Sequence, residues 1–170
     1  MTWNEQFDAL FQKSSAQYRS GNLDFMSYYS EEDLGFLSSI GYKPRELFDF
    51  VEDFADESLP APSTALLIAA VRRDFFLVMQ GGEASSHEVT RNDIPSFGEE
   101  IDGIAYLPRI IAKAKAKLKG ELHPDLMFCC GGDRKFLSDH NIHPADFLRN
   151  VWAADGDGQK VADFVKASTA

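Results

Sequence analysis

The first twenty residues alternate apolar and polar side chains with the period of an α-helix. The apolar positions are Phe7, Leu10, Phe11 and Tyr18. Because this spacing places them on one face, an amphipathic helix is predicted over residues 3–19. Ser30 and Asp33 then have the spacing of a capping box, which predicts a short helix that ends near Ile40.

A turn and a third helix follow. Gly41 stands where the end of a helix favours a left-handed residue, and Pro44 begins the next helix. The apolar side of that helix carries Leu47, Phe48, Val51 and Phe54. The same order recurs one hundred residues later, with a helix over residues 133 to about 140, then Asn141, then Pro144. Gly and Asn tolerate a positive φ best, so both turns are predicted to be left-handed at these positions.

The recurrence extends to identical residues at an offset of one hundred. Lys13, Ala16, Asp33, Phe36, Leu37, Ser38, Pro44 and Val51 recur as Lys113, Ala116, Asp133, Phe136, Leu137, Ser138, Pro144 and Val151. Such a repeat predicts two copies of one supersecondary unit that pack against each other. We therefore expect a mainly α fold, a single globular domain whose two copies are related by a pseudo-twofold axis. The predicted parts are repeat one over residues 3–58, a central helix over 63–80, a loop over 81–102, repeat two over 103–155 and a terminal helix over 158–168.

The segment between the two copies has its own pattern. A Pro-rich linker over residues 59–63 ends at Ser63 as a helix cap and precedes the apolar central helix. Residues 75–79 also suit a strand, and the sequence leaves the two alternatives open. The polar loop over 81–102 is too long to be a mere connection, so we expect it to cover a site. The most regular helix of the chain is predicted over residues 107–119.

Charge and composition exclude several classes of protein. The 170 residues are 44% apolar, which is enough for a sizeable core, and the formal net charge is −10. Nucleic acid and anionic membranes repel an acidic chain, so neither is expected as a partner. The second helix of each helix–turn–helix lacks the basic side chains of a recognition helix, which also argues against DNA. No apolar run is long enough for a membrane span.

Two features predict a cytoplasmic protein. Residues 1–19 are amphipathic, without a basic start followed by an apolar block, so no signal peptide is expected. The two cysteines, Cys129 and Cys130, are adjacent, and neighbours rarely form a disulfide because its geometry is strained. Reduced cysteines are typical of the cytoplasm.

Residues 103–120 read GIAYLPRIIAKAKAKLKG, a Leu-Pro-Arg helix rich in Lys and Ala, and Cys130 and Asp133 follow. This combination resembles a bacterial family known as domain of unknown function 5069. The matching positions are Leu107, Pro108, Arg109, Lys113, Ala114, Ala116, Leu118 and Gly120, then Cys130, Asp133, Phe136, Leu137, Asp146, Phe147 and Leu148. The likeness covers residues 100–155, and the first half looks like a longer branch of the family. The family's Cys-Pro-Leu-Asp is Cys-Gly-Gly-Asp here, and the resemblance implies no activity.

The start of the basic helix is the strongest candidate for a site. Tyr106, Arg109 and Lys113 lie within two turns, and Arg109 and Lys113 share a face. If the turn at Cys130 lies beside them, two cations, an aromatic ring and free backbone amides would suit a small carboxylate or phosphate ester. In the structural alternative, the two cations only neutralise the acidic first copy, because residues 1–60 carry a charge of −8.

The lysines of the basic helix and Cys130 each have a structural interpretation beside the functional one. Lys113, Lys115, Lys117 and Lys119 are expected to form a solvated face rather than an anion-binding strip. Cys130 precedes two glycines at the entrance of a helix, where backbone amides favour a thiolate, but a small buried side chain is the favoured interpretation. Asp133 is a weak catalytic candidate beside it.

Arg72 and Arg73 interrupt the apolar central helix and are candidates for ligand binding. At least one of them should lean on apolar neighbours. A partly buried arginine needs an acidic partner, which Asp33 or Asp133 could supply. Helix capping by these two aspartates is an equally favoured alternative.

No familiar catalytic or metal motif is present. The cysteine pair and the two nearby histidines, His140 and His143, lack the spacing of a zinc site, so no metal and no cofactor is predicted. We therefore expect a helical protein that binds a small anionic ligand or a protein partner without catalysis. The alternative is an enzyme that uses Cys130 or a carboxylate of the same cleft. The oligomeric state stays open.

Overall fold

The computed structural model describes residues 1–170 and is mainly α-helical. Its helices are α1 (Trp3–Arg19), α2 (Glu31–Ser39), α3 (Pro44–Glu57), α4 (Pro62–Val78), α5 (Leu107–Lys119), α6 (Gly131–Asp139), α7 (Pro144–Ala154) and α8 (Gly158–Thr169). The strands β1 (Glu100–Ile101) and β2 (Ile104–Ala105) form an antiparallel hairpin. The chain divides into two compact units, Met1–Ala84 (unit 1) and Ser85–Ala170 (unit 2). None of the helices combines the length and the hydropathy that crossing a membrane requires.

In unit 1, α1 packs against α3 and α4. Buried side chains of these helices include Phe7, Phe11, Leu47, Val51 and Ile68. The bounds of α1 are as predicted, but α4 differs from the prediction at both ends. It begins at Pro62, which suits a first turn because it needs no hydrogen-bond acceptor there, so Ser63 lies inside the helix and does not cap it. It continues to Val78, so residues 75–78 are helical and the strand alternative is wrong.

Both helix–turn–helix turns have the predicted left-handed residues. Gly41 has a φ of 74° and Asn141 a φ of 56°. In each turn, the next backbone N–H donates to the carbonyl five residues earlier at 2.9 Å. A Cβ atom on Gly41 would lie 2.7 Å from the ring of Phe76, so glycine fits this turn for its size as well as for its backbone.

In unit 2, α5 packs against α7 and α8, and α6 packs against α7. The bounds of α5 are as predicted. Its buried side includes the predicted Leu107, Ile110, Ile111, Ala114 and Leu118. Helix α6 begins at Gly131, two residues earlier than predicted, because Cys130 is its N-cap and both glycines belong to the first turn. Helix α8 ends at Thr169, one residue past the predicted end.

The segment over residues 81–102 is more regular than the predicted loop. It contains a 3-10 turn over Arg91–Asp93, an isolated β-bridge at Val89 and strand β1. The hairpin turns at Asp102 and Gly103, which both have a positive φ. Asp-Gly is a strong hairpin signal, so the sequence did carry the information that the loop prediction lacked.

Candidate functional site

A buried ion pair joins α5 to α6. Lys113 Nζ lies 2.6 Å from Asp133 Oδ2, and the two side chains are 4% and 0% exposed. Asp133 is the third residue of α6, where the positive end of the helix dipole favours a carboxylate. Because a buried charge is tolerated only when it is paired and hydrogen-bonded, this pair constrains how the two helices meet.

Two further donors reach the Asp133 carboxylate. The Tyr106 hydroxyl donates to Oδ1 at 2.6 Å, and the backbone N–H of Cys129 donates to Oδ2 at 2.8 Å. Tyr106 and Cys129 have φ values of 72° and 71°, in a left-handed region that is uncommon for residues other than glycine. Two residues with an uncommon backbone conformation thus donate hydrogen bonds to one buried carboxylate.

Cys130 lies at the edge of this arrangement. It is the N-cap of α6 and half-buried, and its Sγ is 3.3 Å from Lys113 Nζ. Cys129 is fully buried, and burial, followed by the negative charge of Asp133, raises the pKa of its thiol to about 12. Of the two cysteines, only Cys130 is partly exposed. The structure brings together Tyr106, Lys113, Cys130 and Asp133, which we call the Tyr106 cluster.

The ring of Tyr106 is held by two phenylalanines. It stacks on Phe97 with 6.1 Å between ring centroids and lies tilted against Phe136 at 5.6 Å. Burial, followed by the charge of Asp133, raises the pKa of the Tyr106 hydroxyl above its ordinary value, so the hydroxyl remains a donor at neutral pH. Gly132 leaves room for it, since a Cβ there would lie 3.1 Å from Tyr106 Oη.

Arg109 has partners outside the Tyr106 cluster. Its guanidinium carbon lies 4.0 Å from the ring centroid of Phe97, and Nη1 donates to the Pro95 carbonyl at 2.9 Å. Pro95 and Phe97 belong to the predicted loop, and this part of it contacts the start of α5. Arg109 and Lys113, predicted to share a face, therefore bind different groups.

The prediction of a solvated lysine face on α5 is wrong for two of the four lysines. Lys113 and Lys117 are buried, Lys115 is half-buried and Lys119 is exposed. The buried positions are four residues apart and so lie on the same side of the helix. Lys113 is tolerated there because a buried carboxylate pairs with it, and the helical pattern of α5 alone carries no sign of that partner.

The two arginines of α4 make contacts within unit 1. Arg72 is buried, donates to Gln80 Oε1 at 2.7 Å and lies 5.2 Å from the ring centroid of Phe76. Arg73 lies 5.1 Å from a ring centroid of Trp3. Both guanidinium groups lean on aromatic rings, in agreement with the predicted apolar contact. They belong to unit 1, whereas the other three predicted ligand-binding residues belong to unit 2.

Unit 1 has a lysine–aspartate pair at the corresponding positions. Lys13 Nζ lies 2.6 Å from Asp33 Oδ2, but these side chains are 47% and 22% exposed. The same Oδ2 accepts from the backbone N–H of Ser30 at 2.8 Å, within the capping box of α2. Burial disfavours the charge on Asp33, but hydrogen bonds from Lys13 and Ser30 outweigh it and hold the pKa below its usual value. Asp33 therefore caps α2, as one alternative predicted, and its pairing with an arginine is wrong.

A cleft of about 450 Å³ lies beside this exposed pair. Its lining residues are Met1, Gln6, Ala9, Leu10, Lys13, Glu32, Asp33 and Phe36. One hundred residues later these positions hold Ile101, Tyr106, Arg109, Ile110, Lys113, Gly132, Asp133 and Phe136. This site, which we call the unit 1 cleft, was not predicted from the sequence. The available signal was a difference within the repeat: Gln6 stands where the second copy has Tyr106, and Glu32 where it has Gly132.

No group of three or more His, Cys, Asp or Glu side chains in residues 1–170 is arranged to hold a metal ion. The histidines near the cysteine pair have other roles. His140 Nδ1 lies 2.8 Å from the carbonyl oxygen of Phe136, and its ring packs on that side chain. His143 caps α7 by accepting from the backbone N–H of Ala145.

Residues 91–170 match the family model of a domain of unknown function, DUF5069. This range contains α5 to α8 and the whole Tyr106 cluster, so the resemblance predicted over residues 100–155 is confirmed and extends further at both ends. Residues 1–90 lie outside the match, and the predicted likeness of the first half stays a prediction. Comparison with the curated proteins and with the solved structures found no match for the chain.

Proposed function

We propose that this protein binds a small molecule without catalysis and that the unit 1 cleft is its binding site. The observation that carries the proposal is the contrast between corresponding positions of the two units. In unit 2, the Tyr106 ring packs on Phe136, and its hydroxyl donates a hydrogen bond to Asp133. In unit 1, Phe36 and Asp33 line an open cleft.

The contrast has this meaning only if the two units are copies of one ancestral unit. Three features support that interpretation. Helices α2 and α6 have the same bounds at an offset of one hundred, and both turns have a left-handed residue at the same place. Each unit also has a lysine–aspartate pair at 2.6 Å between corresponding atoms. The pseudo-twofold axis between the copies stays a prediction.

The anionic ligand predicted at Arg109 and Lys113 stays a separate proposal. Lys113 is paired with Asp133, so an anion there would have to compete with a buried carboxylate. Arg109 is bonded to Pro95 and stacked on Phe97. The unit 1 cleft offers groups that are more exposed and a volume large enough for a metabolite, which is why we place binding there. A protein partner also stays a prediction.

A ligand screen with one blocking variant tests the proposal. Ala9 is exposed and lines the cleft, so Ala9→Trp should fill it, while Ala16→Trp adds the same ring two turns further along α1 and outside the cleft. Thermal-shift screening of a metabolite library should give hits that Ala9→Trp loses and Ala16→Trp keeps. Hits that survive Ala9→Trp would place binding elsewhere, and a library without hits would contradict a binding function.

A second candidate function is an enzyme with Cys130 as nucleophile. The observation that favours it is the 3.3 Å contact between Lys113 Nζ and Cys130 Sγ at the start of α6, which places a cation beside the half-buried cysteine. An enzyme of this kind should alkylate with iodoacetamide at least about tenfold faster in the native chain than in the urea-unfolded chain. A native rate equal to or below the unfolded rate would exclude this function.

A further inference from the structure

We infer that the ligand of the unit 1 cleft is a phenol, with an aromatic hydroxyl that donates to Asp33 and with no net negative charge. This inference rests on the proposed function, because it deepens the same site. The chain itself holds the evidence for the ligand's chemistry, since Tyr106 is a phenol bound at the corresponding place in unit 2.

Unit 2 shows how a phenol is recognised by this set of residues. The Tyr106 hydroxyl donates to Asp133 Oδ1, while Lys113 Nζ and a backbone N–H donate to Oδ2. The ring lies 5.6 Å from the ring of Phe136 between centroids. The lysine thus fixes one carboxylate oxygen, the phenol takes the other, and the phenylalanine supports the ring.

Unit 1 retains the lysine, the aspartate and the phenylalanine of this arrangement. Lys13 Nζ and the backbone N–H of Ser30 donate to Asp33 Oδ2, and neither donates to Oδ1. Phe36 lines the cleft, and its counterpart in unit 2, Phe136, packs against the ring of Tyr106. The missing part is the phenol, because Gln6 stands in place of Tyr106. A free phenol would therefore find an acceptor oxygen, an aromatic wall and an ammonium that already orients the carboxylate.

The size of the cleft agrees with such a ligand. A cavity of about 150 Å³ holds a benzene ring, and the unit 1 cleft has about 450 Å³. The space beyond one ring leaves room for a short side arm. Leu10 and Ala9 supply apolar surface, so aromatic stacking and apolar burial both favour a ligand with a flat aromatic ring.

The charges of the cleft select against an acidic phenol. The charged side chains of the lining are one ammonium, Lys13, and two carboxylates, Asp33 and Glu32. Glu32 is a further difference from unit 2, where the corresponding Gly132 lies beside the Tyr106 hydroxyl. The side chains of the lining therefore carry a formal charge of −1, which disfavours a carboxylate on the ligand. A phenol with an amine on its side arm suits both the acceptor and the charge.

Three probes of one shape test the inference by calorimetric titration of the full chain. Tyramine has the hydroxyl and the ammonium, phenethylamine lacks the hydroxyl, and 4-hydroxyphenylacetate replaces the ammonium with a carboxylate. Tyramine should bind at least about tenfold more tightly than phenethylamine, because a hydrogen bond to a charged acceptor contributes that much. It should also bind more tightly than 4-hydroxyphenylacetate, because the carboxylate of that probe is repelled by Asp33 and Glu32. Equal affinity of tyramine and phenethylamine would overturn the role of the hydroxyl. Tighter binding of 4-hydroxyphenylacetate would overturn the role of the charge.

Two variants test whether Asp33 accepts the hydrogen bond from the phenol. Asp33→Asn should lower the tyramine affinity to that of phenethylamine, and Glu31→Gln, an exposed carboxylate on α2 outside the cleft, should leave it unchanged. Loss in both variants would show a general charge effect and contradict the inference, and the wild-type probe series decides the question even if Asp33→Asn is unfolded. Absence of tyramine binding overturns the phenol inference alone if the library still gives hits that Ala9→Trp loses. It overturns the proposed function as well if the library gives none.

Discussion

Lys113 and Asp133 form a 2.6 Å ion pair with almost no exposure to solvent, and the pair lies between α5 and α6 in unit 2. The pair at the corresponding positions of unit 1, Lys13 and Asp33, has the same length but lies in the wall of a cleft. The chain thus contains the same ion pair once buried and once exposed, so the contribution of each pair to stability can be compared within one protein.

Removing the lysine should therefore have different effects in the two units. Lys113→Met leaves the Asp133 carboxylate buried and without its cation, which should lower the free energy of unfolding by about 3 kcal/mol. Lys13→Met exposes Asp33 to water and should cost less than about 1 kcal/mol. Urea denaturation of both variants measures the difference. Equal losses would contradict the account of the buried pair.

The Tyr106 hydroxyl should stabilise the fold as well as fill the place of a ligand. Tyr106→Phe keeps the ring between Phe97 and Phe136 but removes a donor from a buried carboxylate, so we expect a loss of about 2 kcal/mol in unfolding free energy. Tyr18→Phe is the matched control, because Tyr18 donates to the exposed Asp56 at 3.0 Å and should lose less than about 1 kcal/mol. A Tyr106→Phe variant as stable as the wild type would show that the hydroxyl contributes nothing to the fold.

Gly41 combines a left-handed backbone with a lack of space. Gly41→Val should cost more than about 1 kcal/mol in backbone strain and, by overpacking against Phe76, about 1–3 kcal/mol more. Gly21→Val separates the two contributions, because Gly21 has a φ of 92° and a Cβ added there would meet no atom within 4 Å. Thermal unfolding of the two variants gives the comparison, and a smaller loss at Gly41 than at Gly21 would contradict the crowded turn.

Stability should fall at alkaline pH partly because of one buried thiol. The pKa of Cys129 is about 12 in the folded chain, above its ordinary value of 9.0, so the unfolded chain loses that proton first. The contribution is fully present below pH 9 and declines towards pH 12, by up to about 1.4 kcal/mol per pH unit. Cys129→Ala should flatten the decline in unfolding free energy over this range. A slope identical to that of the wild type would show that Cys129 does not titrate as described.

Much of the fold could be predicted because local patterns determine it. The apolar period gave the bounds of α1 and α5, and the left-handed residues Gly41 and Asn141 marked the ends of α2 and α6. These features depend on residues close together in the chain. The start of α4 was misplaced because Ser63 and Pro62 both signal a helix start, and only the structure shows that the proline prevails.

The candidate site depended on contacts between distant residues. The repeat showed that Lys113 and Asp133 correspond to Lys13 and Asp33, but the burial of only one pair follows from the packing of its helices. The positive φ of Tyr106 was not predicted either, since a residue other than glycine, asparagine or aspartate seldom adopts a left-handed backbone. The cleft lies where one copy has Gln6 in place of the other copy's Tyr106, a difference that is visible only when the two copies are compared residue by residue.

The most direct test of the account is the location of a bound phenol on the chain. Titration of the ¹⁵N-labelled protein with tyramine should shift the backbone amide signals of Ala9, Lys13, Asp33 and Phe36, which line the unit 1 cleft. The amides of their counterparts, Arg109, Lys113, Asp133 and Phe136, should stay in place because Tyr106 already occupies that position. Shifts confined to the second set, or no shifts in either set, would contradict the account.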